Sequence, residues 1–417
     1  IRLALAQARL YESTALHQLG EGDRASAALD QAKVLFSGGG DLKHSGMTLV
    51  WSADFLKEKG DLAGARKQAD EALVVFHQIG NPLYAGQALN EIGNILLAQG
   101  KLREAKDNYE QALRSYREAD YKVVMGDELG NIGEVLERMA DFSGARKNLE
   151  EALQIFDDAG DKSSAGIAEI KLGDVLEEEG ELPESTQHFG RALQLEIETG
   201  HKSAQAATLY ALADVLIEED DLKQAREKSD QALALRKDLK RPLSLSGSLL
   251  QSGEISLEEG KASEAERLAG DSLQQLGATV SPARSAEVHS LRALALLAEN
   301  KQSEARDAAQ QAAAFAAKAG DRNPQYDAAL AGARVSLAGG KFAEARTQLA
   351  LILSQPSKAI SVPYLFEARL TLGEIGLKSG QAGIARAQLT SLEKQAREKH
   401  FLLIARKAEA LLTASSH

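Results

Sequence analysis

A forty-residue period constrains this chain more than any other feature. The segments GDLAGARKQADEAL from Gly60, GKLREAKDNYEQAL from Gly100 and ADFSGARKNLEEAL from Ala140 align without gaps. GELPESTQHFGRAL from Gly180, DDLKQAREKSDQAL from Asp220 and GKASEAERLAGDSL from Gly260 extend the series. NKQSEARDAAQQAA from Asn300, GKFAEARTQLALIL from Gly340 and GQAGIARAQLTSL from Gly380 complete it, and a first copy begins near Gly22. A chain of near-identical units of this size builds one supersecondary motif many times over, with each copy burying its apolar face on its neighbours.

Small residues mark where the motifs meet. One column holds Ala25, Ala65, Ala105, Ala145, Ser185, Ala225, Ala265, Ala305, Ala345 and Ala385. Seven residues on stand Ala32, Ala72, Ala112, Ala152, Ala192 and Ala232. Twelve residues before the first column stand Gly93, Gly133, Gly173, Gly253 and Gly373, or alanine at Ala53, Ala213, Ala293 and Ala333. Apolar residues recur at three and four on both sides of each breaker, as in Ala85, Leu89, Ile92 and Leu96, then Leu102, Ala105, Tyr109, Ala112, Leu113 and Tyr116. That spacing predicts two amphipathic helices per copy. The small residues fall where two helix axes approach most closely, with Tyr109, Leu149 and Phe189 supplying the bulk between them.

These columns resemble the tetratricopeptide signature: a small residue, alanine twelve positions later and alanine seven after that, with Ile92, Ile132, Leu172 and Leu372 before the first position. The resemblance covers almost the whole chain. The period is longer than the usual one, and the proline that often ends the second helix is missing. Both departures resemble the longer variant of cell-polarity scaffolds of the LGN/Pins type and of large bacterial regulators. The resemblance implies an all-α fold, a right-handed superhelical solenoid of about ten antiparallel helix pairs plus a C-terminal capping helix. The expected layout is a single solenoid over residues 1–417. Its second helices start near 22, 61, 101, 141, 181, 221, 261, 301, 341 and 381, and the cap runs from His400 to Ala414. Two less regular loops, at Gly277–Pro282 and Gln355–Pro363, are candidate bends. The chain starts inside a helical pattern and reads as a fragment. Its last fifty residues resemble the end of multidomain bacterial signalling proteins, which implies an upstream kinase or DNA-binding domain.

Composition removes several function classes. The net charge is −12, and no Lys/Arg cluster is large enough to replace phosphate counterions, so no nucleic-acid binding is expected. The absence of cysteine excludes disulfides, thiolate metal sites and cysteine nucleophiles, and fits a cytoplasmic location. No apolar stretch has the length to span a bilayer. The eight histidines are scattered without paired spacing, and no phosphate loop, dinucleotide fingerprint or nucleophile elbow is present. The expectation is a binding surface, with no catalysis, cofactor or metal.

By the resemblance, the first helix of each pair lines a concave groove. One column there reads Thr14, Asp54, Asn94, Glu134, Asp174, Asp214, Glu254, Leu294, Arg334 and Glu374, six of ten acidic. Such a stripe would steer a basic partner. Asn90, Asn94 and Asn131 add amides that can bond a peptide backbone. Asn94 and Asn131 also match positions that grip a terminal carboxylate in carboxylate-clamp members of the family, and Lys171 matches a basic one. Asn90 and Ile167 stand where the clamp has other residues, and Glu134 and Asp174 would repel an anionic terminus. The candidate partner-binding residues are Asp54, Asn90, Asn94, Asn131, Glu134, Lys171, Asp174, Asp214 and Glu254. Tyr210, Leu250 and Ile170 share a register that would line an apolar pocket for a sensed ligand. Trp51, the sole tryptophan, reads as repeat packing. The expected function is a protein- or peptide-binding scaffold of a signalling protein, with ligand sensing and self-assembly as the other readings.

Overall fold

In the computed structural model of the protein, residues 1–19, 21–277, 281–356 and 359–414 are described. Both irregular loops include residues outside this set, at 278–280 and 357–358. Twenty-one α-helices follow one another, and the described residues contain no strand. They fall into two compact units, one of residues 1–139 with 143–161, the other of 140–142 with 162–417.

The first unit holds α1 (Arg2–Gln18), α2 (Gly22–Gly38), α3 (Leu42–Glu58), α4 (Leu62–Gln78), α5 (Pro82–Ala98), α6 (Leu102–Glu118), α7 (Lys122–Arg138) and nearly all of α8 (Phe142–Ala159). The second begins with α9 (Lys162–Glu179), α10 (Leu182–Thr199), α11 (Lys202–Glu218), α12 (Leu222–Leu239), α13 (Pro242–Glu258) and α14 (Ala262–Leu276). It continues with α15 (Pro282–Ala298), α16 (Gln302–Ala316), α17 (Asn323–Ala338), α18 (Phe342–Leu353), α19 (Val362–Lys378), α20 (Ala382–Glu398) and the closing helix α21 (Leu402–Ala414). Ten pairs and one cap make an all-α helical-repeat solenoid.

The helices stop at fixed intervals for a local reason. At Gly100 the backbone turns to φ 72°, the amide of Gly100 bonds the carbonyl of Leu97 and that of Lys101 bonds Leu96, both at 2.9 Å. This left-handed C-terminal cap satisfies carbonyls that the helix leaves open. Starts are capped as well: the Asp61 carboxylate accepts from the Gly64 amide at 2.9 Å, and Asn81 does the same for Tyr84 at 3.2 Å.

Packing explains the small columns. A methyl group on Gly93 would lie 2.4 Å from the Tyr109 ring, and one on Gly173 would lie 2.4 Å from Phe189. On Gly133 and Gly373 it would meet Leu149 and Leu389 at 2.7 and 2.5 Å. At these four positions the glycine of the first helix is a hole that a large residue of the second helix fills, whereas Gly253 is filled by Leu291 of α15. Where the second helix carries Ala69, Ser229 or Ala309 in that position, the first carries alanine instead. The serine at Ser185 keeps the column small and donates from Oγ to the Gly173 carbonyl at 2.8 Å. Trp51 is half-buried against the cluster of Leu10, Leu29 and Phe36, as repeat packing requires.

The second unit folds back on itself. One core cluster joins Leu182 and Phe189 of α10, Leu212 and Val215 of α11, Phe366 of α19 and Ile404 of α21. Phe366 meets Phe401 edge-on at 5.2 Å. Helix α19 touches α9, and α21 touches α11. The last helices therefore close the unit against its first ones.

Candidate functional site

Closure of the second unit surrounds the inward faces of its first helices. Asp214, Glu218, Glu254 and Asp327 are half-buried there. They line the inner side of this unit, where Asp214 lies near enough to raise both Glu218 and Glu254. Helix periodicity puts them there: Asp214 and Glu218 lie one turn apart on α11, as Glu254 and Glu258 do on α13.

Cations of this interior are committed. Arg284 pairs with Glu287 at 2.5 Å, and Arg334 with Glu367 at 2.8 Å. Lys407 of α21 bridges Glu258 at 2.7 Å and Glu367 at 3.3 Å. Arg236 lies over the Tyr210 ring at 4.5 Å and donates to the Ser244 carbonyl at 3.1 Å and Ser248 Oγ at 2.9 Å. Burial alone would raise Glu367, but Lys407 and Arg334 outweigh it and hold its carboxyl at about 2.

Other carboxyls have no such partner. Among the described residues the side-chain carboxyls of Glu177, Glu218 and Glu254 make no hydrogen bond or ion pair. Burial pushes Glu218 up to about 8, with Glu367 and Glu258 adding to it and Lys407 opposing. Burial likewise raises Glu254 to about 8, helped by Asp214, Asp327 and Glu287. Asp214 rises to about 7 through burial, against the bond from Gln251 and the charges of Arg236 and Arg284. Gln251 is wholly buried: its Nε2 donates to the Tyr210 carbonyl at 2.8 Å and to Asp214 Oδ1 at 2.7 Å, while its Oε1 has no partner.

Of the residues singled out in the sequence, Asp214 and Glu254 line this interior. Asp174 and Lys171 are half-buried on α9 of the same unit. Leu250 does not line a pocket. It is buried with Ala269, Val288 and Leu291, because the small Ala269 leaves room for it to sink between helices. Ile170 packs against the core cluster around Phe189, and Tyr210 faces Arg236.

The first unit uses its polar residues differently. Asp54 pairs with Lys57 at 2.8 Å, and Lys57 also bonds Glu91 at 2.9 Å. Asn94 donates to Glu91 at 3.1 Å and Asn90 at 3.2 Å, and accepts from the Tyr109 hydroxyl at 2.8 Å. Asn90 in turn donates to Glu128 at 2.7 Å. These amides are thus engaged within a chain of hydrogen bonds. Asn131 is half-buried on α7, and Glu134 lies 4.0 Å from Arg138. Glu128 is fully buried, and burial raises it to about 8.

Sequence reading missed Glu177, Glu218, Gln251, Arg236 and Lys407. Arg236 left a trace. Its column holds Phe36, Phe76, Tyr116 and Phe156, then switches to Glu196 and Arg236. A charged residue in an aromatic column means that the packing there has become polar.

Among the described residues no group of three or more His, Asp or Glu stands ready to hold a metal ion, and no helix is long and apolar enough to cross a membrane. The tetratricopeptide-repeat family model matches residues 45–118 and 163–238. No curated protein matches the chain significantly in sequence. Among solved structures, the apo quorum sensor NprR from B. thuringiensis is 15% identical with a TM-score of 0.58, over 82% of this chain and 99% of its own. The Rap conjugation gene regulator of plasmid pLS20, in complex with the Phr* peptide, is 13% identical with a TM-score of 0.55, over 76% and 93%. A Rap protein complexed with competence and sporulation factor is 15% identical with a TM-score of 0.52, over 82% and 100%. At such identities the likeness is one of fold, and it agrees with the ten helix pairs and their small-residue columns, while residues 45–118 and 163–238 carry the tetratricopeptide repeats that the family model matches.

Proposed function

We propose that the chain is a non-catalytic, cytoplasmic protein- or peptide-binding scaffold of a bacterial signalling or regulatory protein, taking a basic segment of its partner against its first helices. The observation that carries this reading is the enclosed interior of residues 162–417, where carboxyls outnumber the cations that could neutralise them. Structures of similar fold support it, since one is a complex with the Phr* peptide and another with competence and sporulation factor. The test is binding of peptides graded in charge, at low and high salt, beside a variant with Asp174→Lys and Asp214→Lys. Salt-sensitive binding of basic peptides that the variant loses supports the reading. Equal binding by wild type and variant counts against the acidic column as the contact.

The enclosure also favours a second reading, a ligand-sensing regulatory domain. A small molecule held there would raise the melting temperature, and a flat thermal-shift screen would argue against it.

A further inference from the structure

Helices α19 and α20 break the pattern of the other repeats at one place. A cleft of about 560 Å³ opens there, lined by Arg369 and Leu372 of α19 and by Gly383, Ile384, Ala387 and Gln388 of α20. Its size is that of sites which take a ligand or a few side chains, about 300–1,000 Å³. The forty-residue register shows what has changed. In α6 the positions matching Gly383, Ile384 and Ala387 are Arg103, Glu104 and Asp107, all exposed to solvent. Ile384 stands in a column that holds Glu104, Glu184, Glu264, Glu304 and Glu344, yet its side chain is 64% exposed. One exposed isoleucine is ordinary. An isoleucine that replaces the glutamate of five other copies, at the mouth of a cleft and beside uncharged neighbours, marks a face that something covers.

The cations beside the cleft supply an independent observation. Arg369 stands in a column that holds Leu89, Leu129, Leu209 and Leu249. Its guanidinium donates to Gln395 Oε1 at 2.8 Å and lies 5.8 Å from the centre of the Phe366 ring. Burial lowers it from its ordinary value, with no carboxyl to offset the effect. Arg346 of α18 donates to Ser379 Oγ and Gln381 Oε1, both at 3.0 Å, at the turn that leads into α20. Its counterparts Arg66, Lys106, Arg146 and Arg226 pair with Asp70, Glu110, Glu150 and Glu259 at 2.6–3.0 Å. For Arg346 those partners are gone, because Ala350 and Ser379 stand at the matching positions. Among the described residues neither Arg346 nor Arg369 makes an ion pair.

We infer that the α19–α20 cleft is a docking site for an acidic, aliphatic peptide segment of a partner protein. An aliphatic side chain of the segment covers Leu372 and Ile384, and its carboxylates meet Arg369 and Arg346. Bonds from a guanidinium to a carboxylate are roughly twice as strong as the bonds to neutral acceptors that hold these arginines now. Spacing selects a peptide over a small anion. Gln381 and Gln395, which hold the two arginines, lie fourteen residues apart on α20, roughly 20 Å along a helix axis. In a chain of net charge −12 this is a place that attracts acid, opposite in charge preference to the contact proposed for the first helices and independent of it.

Random peptides of one length, displayed on phage, are selected on the full chain, with an Ile384→Glu variant as the counter-selection. The variant restores the glutamate of its column at an exposed position. Enriched peptides are then titrated by calorimetry against wild type, Ile384→Glu, Arg369→Leu and Arg346→Ala, thermal unfolding confirming that each is folded. The expected sequences carry Asp or Glu beside Leu, Ile or Val, and bind wild type roughly tenfold more tightly than each folded variant. Their binding should weaken at high salt, and less steeply in the two arginine variants. Enrichment of basic or uncharged sequences, no enrichment over the counter-selection, or equal affinity for wild type and variants overturns the docking site. Self-association of wild type in sedimentation, lost in Ile384→Glu, assigns the cleft to a second copy and equally overturns the partner segment.

Discussion

Replacing Glu128 by glutamine should stabilise the first unit, by an amount that depends on pH in a defined way. Glu128 stands in a column that elsewhere holds Thr48, Ala88, Ala168, Thr208 and Ser248, and it is wholly buried. Burial raises its carboxyl from 4.5 to about 8, with Asp127 adding to the shift and the bond from Asn90 opposing it. The unfolded chain therefore loses this proton near pH 4.5, while the native one keeps it until about pH 8. Between those values the native state holds more protons, so stability falls as pH rises, and it is level outside the window. At pH 7 the penalty is about 1.4 kcal/mol per unit over some two and a half units, roughly 3 kcal/mol. Glutamine keeps an acceptor for Asn90 and cannot ionise. Its amide group leaves a buried donor unmatched, much as the protonated acid's hydroxyl does. The expected gain is about 2–3 kcal/mol at pH 7, or about 5–10 °C in the melting temperature of a unit this size. The gain should vanish near pH 4 and be largest above pH 8. Fluorescence of Trp51, which lies in this unit, follows its unfolding directly. A difference that is constant from pH 4 to pH 8.5, or a glutamine variant less stable at pH 7, would refute the reasoning.

Three further outcomes are expected. Lys240 ends α12 at φ 52°, the left-handed conformation that most repeats give to glycine, so Lys240→Gly should raise stability to urea by about 0.5–1 kcal/mol despite the freer unfolded chain. Gly173→Ala should lower it by about 1–3 kcal/mol, since the new methyl group would meet Phe189 at 2.4 Å, and adding Phe189→Leu should recover part of the loss if the clash is the cause. Helix α21 should loosen when Arg406 and Lys407 are both changed to alanine, removing pairs to Asp220 at 2.6 Å and to Glu258 at 2.7 Å, at a cost of about 1–3 kcal/mol. Amide exchange in α21 measures this, and in wild type the same region should open as pH falls from 4.5 towards 2, because Glu367 is held low and its stabilisation goes as it gains a proton.

Ten helix pairs and their cap were legible because every copy solves the same local problem. A turn must adopt positive φ, two axes must approach, and a bulky side chain must find a hole, and each demand restricts one position per repeat. Glycine gives way to alanine where Ala69 and Ala309 replace Tyr109 and Phe189, although Gly253 faces Ala269 and takes Leu291 in its place. Closure of the second unit was not legible. Lys399, Arg406 and Lys407 reach Glu181, Asp220 and Glu258, residues 218, 186 and 149 positions earlier. Such contacts follow from small rotations summed over several repeats, and no single repeat encodes the sum. Leu250 was misjudged for a related reason: it shares a column with Tyr210, but the neighbour that decides whether it faces the interior is Ala269 on another helix.

Two kinds of raised carboxyl occur in this chain, and they differ in what can reach them. Glu128 is sealed and already accepts from Asn90, so its cost falls on the first unit alone. The side-chain carboxyls of Glu218 and Glu254 stand open to water inside the second unit with no bond to any described residue. In a repeat stack each copy is satisfied mainly by its neighbours, so like charges collected on facing first helices are a burden that no neighbour relieves. Glutamine at Glu128 should therefore change the stability of the first unit, and glutamine at Glu218 and Glu254 that of the second.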